Sequence, residues 1–153
     1  MNPTLTEQPQ LRVASLRHRG PYQQIGETFA RLAAIVEAAG ASDASPELVA
    51  VYHDDPATVP AANLRSDAGI LVPAGTALPE GLSEVILAAG PYVQIRHSGP
   101  YDTLPKTWAR IREFFAGAEG PKRGDGPGYE IYRNTPATAA PADLITDIYV
   151  PTA

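Results

Sequence analysis

The chain contains the same short segment twice. RHRGPY at residues 17–22 returns about 79 residues later as RHSGPY at 96–101. Downstream, VAVY at 49–52 lines up with YEIY at 129–132, and each is followed by the tripeptide PAT. Because the similarity extends over so long a stretch, the repeat predicts two similarly folded halves related by a pseudo-twofold axis. Where the halves differ, one half serves as a control for the other.

Composition limits the possible classes of protein. A chain of 153 residues with 44% hydrophobic content predicts one domain, built from half-repeats over about 1–73 and 81–153. The net charge of -5 disfavours direct binding of nucleic acid. The absence of cysteine excludes disulfides, thiolate nucleophiles and zinc–thiolate sites. The chain shows neither a signal-peptide pattern nor a long apolar run, so we expect a cytoplasmic protein that does not enter a membrane.

Each half reads as a β-α-β-β unit. In the first, the pattern predicts a strand over 11–18, a helix with Ile25, Phe29, Leu32 and Val36 on one stripe, and strands over 48–53 and 63–72. This helix is expected to end within residues 40–46, and residues 73–81 connect the halves. In the second, it predicts strands over 84–87 and 92–97, a helix over 103–115, and strands over 129–133 and 144–150. The predicted fold class is therefore α+β, with one antiparallel sheet and two long helices on one side.

Alternation along the strands divides their side chains between two faces. One set of alternate residues is mostly apolar and is predicted to pack against the helices: Val49, Val51, Tyr129 and Ile131. The helix residues expected to face this set are Phe29, Leu32, Trp108, Ile111 and Phe115. The other set is predicted to lie on helix-free faces that meet in a ligand cleft between the halves: Ala50, Tyr52, Glu130 and Tyr132. Tyr92 and Tyr149, on neighbouring strands, are expected to line the same cleft. Glu130 is then the lone acid among tyrosines.

Glu130 has two interpretations. It is either a surface acid on a half-exposed strand or a pocket carboxylate that pairs with a cation or acts as a general base. Tyr52, Tyr92, Tyr132 and Tyr149 are equally consistent with ordinary packing and with stacking on a ligand. Trp108 replaces Phe29 of the first half, so it belongs either to the core or to the cleft.

Two other motifs are assigned structural roles. The doubled His-x-Gly-Pro-Tyr predicts a sharp turn from strand to helix, which makes His18 and His97 turn residues. No spacing of histidines supports a metal site, and we expect no cofactor. The glycine-rich stretch at 124–128 precedes a strand instead of opening a helix, so it is not read as a phosphate loop.

The paired R-H-x-G-P-Y segments, the YEIY that precedes Asn134-Thr135-Pro136, and the ending LITDIYVP resemble the gyrase-inhibitor-like (GyrI-like) small-molecule-binding domain. The resemblance covers nearly the whole chain. It implies a tandem β-α-β-β fold with a ligand cleft, and it places the family's pocket glutamate, which recognises lipophilic cations in multidrug-responsive regulators, at Glu130. It also implies stand-alone members that hydrolyse cyclopropanoid toxins or protect DNA gyrase. With no room for a helix-turn-helix, direct regulation of transcription is not expected.

Three functions follow as hypotheses. The favoured one is a protein that senses or sequesters small lipophilic drugs or toxins, cationic ones among them. The second is a hydrolase of strained electrophiles, in which Glu130 activates water and Tyr92 or Tyr132 donates to the developing oxyanion. The third is an interaction protein that protects DNA gyrase or another enzyme.

Overall fold

The computed structural model describes residues 2–40 and 47–153. The eight strands are β1 Thr4–Gln8, β2 Leu11–Arg19, β3 Leu48–Tyr52, β4 Arg65–Leu71, β5 Ser83–Leu87, β6 Gly90–Ser98, β7 Gly128–Tyr132 and β8 Ile145–Pro151. The two long helices are α1 Ile25–Ala38 and α2 Leu104–Ala116. Short 3-10 turns precede both helices and also β4 and β8. Neither helix is both long enough and apolar enough to cross a membrane.

All eight strands form one antiparallel sheet in the order β1-β6-β8-β7-β3-β4-β2-β5. Exchanging each strand for its counterpart in the other half gives the same order in reverse, as a pseudo-twofold axis between β3 and β7 requires. The first strand of each half lies at the edge of the sheet, next to a strand of the other half: β1 pairs with β6, and β5 pairs with β2. The two halves therefore share a single sheet that neither completes alone.

The order of elements predicted from the sequence is confirmed, with three differences. Strand β1 was not predicted, because Leu5 is its one large apolar residue; the repeat pointed to it, since its counterpart β5 was expected. Asn63 lies in a 3-10 turn before β4 instead of in the strand. The first helix ends at Ala38, before the predicted stretch of 40–46, of which residues 41–46 lie outside the described part of the chain.

The His-x-Gly-Pro turn joins strand and helix through one buried histidine. Gly20 has a φ of 116°, in the left-handed region that favours glycine. The His18 Nε2 lies 3.0 Å from the carbonyl oxygen of Pro21, which can only accept, so Nε2 donates and Nδ1 accepts from the Thr28 hydroxyl at 2.8 Å. The second half repeats this arrangement with His97, Pro100 and Thr107. Each histidine thus ties its helix to the preceding strand.

The helices cover the face of the sheet that was predicted to be free of them. Against α1 pack Ala14, Ala68 and Ile70, and against α2 pack Ile95 and Ile148. Ala50 lies opposite Ala68, and Glu130 lies opposite Ile148, in the strand register. The predicted assignment of the two faces is therefore wrong: the side chains of Ala50, Tyr52, Glu130 and Tyr132 point to the helix side, and those of Val49, Val51, Tyr129 and Ile131 to the other.

The helix-free face is also buried, because the sheet curls around its own side chains. A continuous apolar cluster runs across six strands of this face: Val13, Val49, Val51, Leu87, Tyr92, Tyr129, Ile131 and Tyr149. The side chain of Gln8 in β1 donates to the Tyr129 hydroxyl in β7 at 3.2 Å, although two strands separate them in the sheet. A flat sheet would hold β1 and β7 roughly 14 Å apart. Both faces are therefore apolar, and strand alternation alone does not tell which one carries the helices.

Two equivalent aspartates are buried on the helix-free face. Asp67 accepts from Arg17 at 2.7 Å and pairs with His53 at 2.6 Å. Asp147 accepts from Arg96 at 2.8 Å and from Arg133 at 2.7 Å. Burial by itself raises the pKa of both carboxyls, but the hydrogen bonds and positive charges of these partners outweigh it and lower both pKa values.

We expect the free energy of unfolding to fall as the pH drops below about 4. Because the folded-state pKa of Asp67 and Asp147 lies below the ordinary value of 3.8, their ionised forms stabilise the folded state above that pH. This contribution is lost as the pH falls through the folded-state pKa. Urea denaturation from pH 7 to pH 2.5 measures the effect.

The Asp147→Asn variant tests the source of this pH dependence. It leaves two arginines facing an amide, so we expect it to cost on the order of 3 kcal/mol at pH 7 and to flatten the acid limb. The exposed Asp102 provides the control, and Asp102→Asn is expected to stay within about 0.5 kcal/mol of the wild type. An acid limb equally steep in Asp147→Asn and in the wild type would contradict the assignment.

Candidate functional site

The buried carboxylate of Glu130 lies on the two central strands of the sheet. Glu130 is in β7, opposite Ala50 in β3, on the helix side of the two central strands. Its exposed fraction is 2%. A buried charge is stable only when it is hydrogen-bonded, so the groups around Glu130 determine whether this position is tolerated.

Three neutral donors hold the Glu130 carboxylate. The hydroxyls of Tyr52 and Tyr132 donate to Oε1 at 2.8 Å and 2.7 Å. The indole Nε1 of Trp108 donates to Oε2 at 2.6 Å. Both oxygens are therefore occupied, and no cation neutralises the charge within this set of contacts. Burial is the larger cause, and the nearby charge of Glu130 the next, of a rise in the pKa values of Tyr52 and Tyr132 well above the usual range for tyrosine. Both hydroxyls therefore keep their protons and act as donors.

Six aromatic rings, here called the aromatic shell, surround this carboxylate. In one series Tyr22 contacts Tyr52 with ring centroids 4.8 Å apart, and Tyr52 contacts Trp108 at 5.7 Å. In the other, Tyr101 contacts Tyr132 at 5.4 Å, and Tyr132 contacts Phe29 at 5.8 Å. All six residues are partly exposed: Tyr22, Phe29, Tyr52, Tyr101, Trp108 and Tyr132. The shell thus presents aromatic surface to solvent above a charge that solvent barely reaches.

The two series of rings are counterparts in the repeat, and the site is where the repeat breaks. Trp108 stands where the first half has Phe29, and Glu130 stands where it has Ala50. Gly128 replaces Leu48, and a Cβ on Gly128 would lie 3.1 Å from the end of the Trp108 ring. The indole donor, its acceptor and the space for the larger ring therefore occur together in one half.

The structure brings four of the predicted site residues together and separates the other two. Glu130, Tyr52, Tyr132 and Trp108 are joined by hydrogen bonds, although on the helix side and not in a helix-free cleft. Tyr92 and Tyr149 lie on the opposite face, where both pack against Tyr129, at 5.5 Å and 5.2 Å between ring centroids. Grouping them with Glu130 was wrong, because Tyr149 lies opposite Tyr129, one residue out of phase with Glu130.

Three members of the aromatic shell were not predicted as site residues. Tyr22 and Tyr101 belong to the doubled turn motif and were given only a structural role. Phe29 was placed in the core under its helix. The repeat held a signal for Phe29, because Phe29 is the counterpart of Trp108, which was a candidate site residue.

Two depressions on the surface lie away from the aromatic shell. One, of about 240 Å³, is beside Arg12 and Pro73, and the other, of about 510 Å³, is between Leu5 and Lys122. Neither is lined by a ring of the shell. Within residues 2–40 and 47–153, no three histidine or acidic side chains are grouped closely enough to hold a metal ion.

Residues 1–153 match the family model of the GyrI-like small molecule binding domain. The chain belongs to the GyrI-like family. A relative in sequence is the DNA gyrase inhibitor of Yersinia enterocolitica, which is 27% identical over 135 residues, or 85% of this chain and 84% of that protein.

Solved structures of the GyrI-like fold cover the same length. The C-terminal domain of EcmrR has a TM-score of 0.78 at 18% identity, covering 99% of this chain and 97% of that one. SAV2435, solved bound to tetraphenylphosphonium, has a TM-score of 0.67 at 11% identity, covering 100% and 94%. At these identities the likeness shows the α+β fold, with its curled eight-stranded sheet and two helices.

We expect Trp108 and Glu130 to be coupled energetically. Trp108→Phe removes one donor and leaves Oε2 of a buried carboxylate unpaired, at a cost of about 1–3 kcal/mol. Trp108→Phe together with Glu130→Ala restores both residues of the first half, so the double variant should be more stable than the sum of the single changes predicts. Urea denaturation followed by circular dichroism measures this cycle, and strictly additive changes would show that the hydrogen bond contributes nothing.

Proposed function

We propose that this protein binds lipophilic organic cations on the aromatic shell, with the buried carboxylate of Glu130 as their electrostatic partner. The observation that carries this proposal is one buried carboxylate that accepts hydrogen bonds from three neutral donors beneath six partly exposed rings. Aromatic faces attract organic cations, at about 0.5–2 kcal/mol for each ring contact. The role is sensing or sequestering such compounds, including multidrug-type cations and toxins.

The carboxylate acts on the ligand from behind the rings. Because Glu130 is 2% exposed and both its oxygens accept hydrogen bonds, a cation stacked on the shell stays separated from it by the aromatic side chains. At a separation of about 7 Å and an effective dielectric constant of about 20, the attraction is on the order of 2 kcal/mol. Attraction of this size favours a cation over a neutral molecule of equal shape without requiring direct contact.

The comparisons support the class of ligand. SAV2435, a structural neighbour, is bound to tetraphenylphosphonium, a cation enclosed by four phenyl rings. The family model describes a small molecule binding domain. Tetraphenylphosphonium is therefore the probe of choice.

Hydrolysis of a cyclopropanoid toxin is less well supported by the geometry. A general base needs a lone pair directed at water, whereas Tyr52, Tyr132 and Trp108 take three of the four acceptor sites of Glu130, and at 2% exposure water barely reaches the remaining site on Oε2. Tyr92, one of the expected oxyanion donors, lies on the opposite face and donates to the carbonyl of Ala88. We therefore propose binding without turnover.

An interaction with DNA gyrase is a separate possibility, because the Yersinia relative is named a DNA gyrase inhibitor. It requires a protein-binding surface and makes no use of a buried carboxylate beneath aromatic rings. A gyrase supercoiling assay with added protein distinguishes it from cation binding, because only a gyrase partner would alter that assay.

We expect tetraphenylphosphonium to bind saturably and to change the fluorescence of Trp108, the chain's single tryptophan. Glu130→Gln keeps the shape of the side chain but removes its charge, so we expect affinity to fall by roughly 10- to 50-fold, the equivalent of about 2 kcal/mol. Isothermal titration calorimetry measures both constants. The matched control is Glu113→Gln, on the exposed side of α2, which should bind like the wild type.

Two results would overturn the proposal. One is equal affinity of the wild type and Glu130→Gln for tetraphenylphosphonium, which would separate binding from the carboxylate. The other is conversion of a cyclopropane-containing electrophile to a water adduct that depends on Glu130, detected by mass spectrometry, which would make the protein an enzyme.

A further inference from the structure

The two turn tyrosines of the repeat have different surroundings. The Tyr22 hydroxyl donates to the backbone carbonyl of Asp54 at 2.6 Å and accepts from the backbone N–H of Asp54 at 3.1 Å. It also lies 3.2 Å from the carbonyl oxygen of Arg65. Both its donor and its acceptor capacity are thus used by the protein itself.

The Tyr101 hydroxyl has no such partners. Tyr101 occupies the same position in the second half, and its ring packs on Tyr132 as that of Tyr22 packs on Tyr52. Within residues 2–40 and 47–153, however, the Tyr101 hydroxyl forms no hydrogen bond. Burial and then the charge of Glu130 raise the pKa of Tyr101, whereas the charges acting on Tyr22 are those of its own loop and strand. The shell therefore carries one hydroxyl that is partly buried, close to the central charge and unused.

We propose that the Tyr101 hydroxyl is the hydrogen-bond partner that the aromatic shell offers to its ligand, and that it selects lipophilic cations carrying a neutral polar group. This inference rests on the proposed function and adds to it the chemical class of the ligand. A ligand that covers Tyr101 removes water from the hydroxyl. An apolar ligand then leaves the hydroxyl unpaired, which costs free energy, whereas an amide, ester or hydroxyl on the ligand replaces the lost water.

The test uses two cations that differ at one position. These are (4-carbamoylphenyl)triphenylphosphonium, which carries an amide, and (4-isopropylphenyl)triphenylphosphonium, which has similar shape and no polar group. The measured quantity is the ratio of their dissociation constants, obtained by calorimetry for the wild type, Tyr101→Phe and Tyr22→Phe. A ratio cancels effects of a substitution on folding or on stacking that are common to both ligands.

We expect Tyr101→Phe to shift this ratio against the amide by roughly 5- to 10-fold, the size of one neutral hydrogen bond. Tyr22→Phe removes an identical hydroxyl from the matched ring and should leave the ratio at the wild-type value, because Tyr22 is bonded to its own backbone. Loss of its hydrogen bonds to Asp54 should lower the stability of the variant.

Each other outcome has a distinct meaning. A ratio unchanged in Tyr101→Phe, or shifted equally in Tyr22→Phe, would overturn the role of Tyr101 while leaving cation binding intact. If the wild type binds neither phosphonium, the proposed function itself fails, and the selection by Tyr101 fails with it.

Discussion

The hydrogen bonds to the Glu130 carboxylate are the interaction on which the centre of this structure depends. A charge with 2% exposure in the middle of a sheet is costly, and three neutral donors from β3, β7 and α2 offset that cost without cancelling the charge. Because these donors come from both halves, the same contacts that stabilise the carboxylate also fix the two halves relative to each other. The negative potential of Glu130 remains directed at the rings above it.

The pseudo-twofold scaffold explains how one site arises from two copies. The palindromic sheet brings β3 and β7 side by side, and each helix contributes a ring that contacts the tyrosine of the other half: Phe29 on Tyr132 and Trp108 on Tyr52. A perfectly symmetric molecule would place two carboxylates next to each other, where their repulsion would oppose folding. Ala50 opposite Glu130 avoids this, so the asymmetry is a condition for having a buried acid here at all.

Much of the architecture could be predicted from the sequence because the repeat and the hydrophobic periods agree with the final fold. They yield both helices, the order of seven strands and the equivalence of Ala50 and Glu130 in the two halves. Glu130 was singled out by the break in the repeat, by its place as an acid among tyrosines in a strand, and by the family resemblance. Strand β1 was missed because a five-residue edge strand with one apolar residue has little hydrophobic pattern of its own.

The orientation of the site could not be predicted, for a physical reason. Alternation identifies the face to be buried only when one face is polar, and here the curled sheet buries both. The aromatic residues Tyr92 and Tyr149 therefore looked like members of the site while belonging to the opposite core. Tyr22 and Tyr101 could not be distinguished by sequence either, because their motif is shared and only the tertiary contacts of their hydroxyls differ.

A crystal structure of the protein with tetraphenylphosphonium shows where the cation binds. We expect the phosphorus to lie over the aromatic shell, within about 7 Å of the Glu130 carboxylate, where the attraction is on the order of 2 kcal/mol. We also expect Trp108 to keep its hydrogen bond to Glu130 beneath the ligand. A ligand bound instead on the face of Tyr92 and Tyr149, or in either surface depression away from the shell, would contradict binding on the shell.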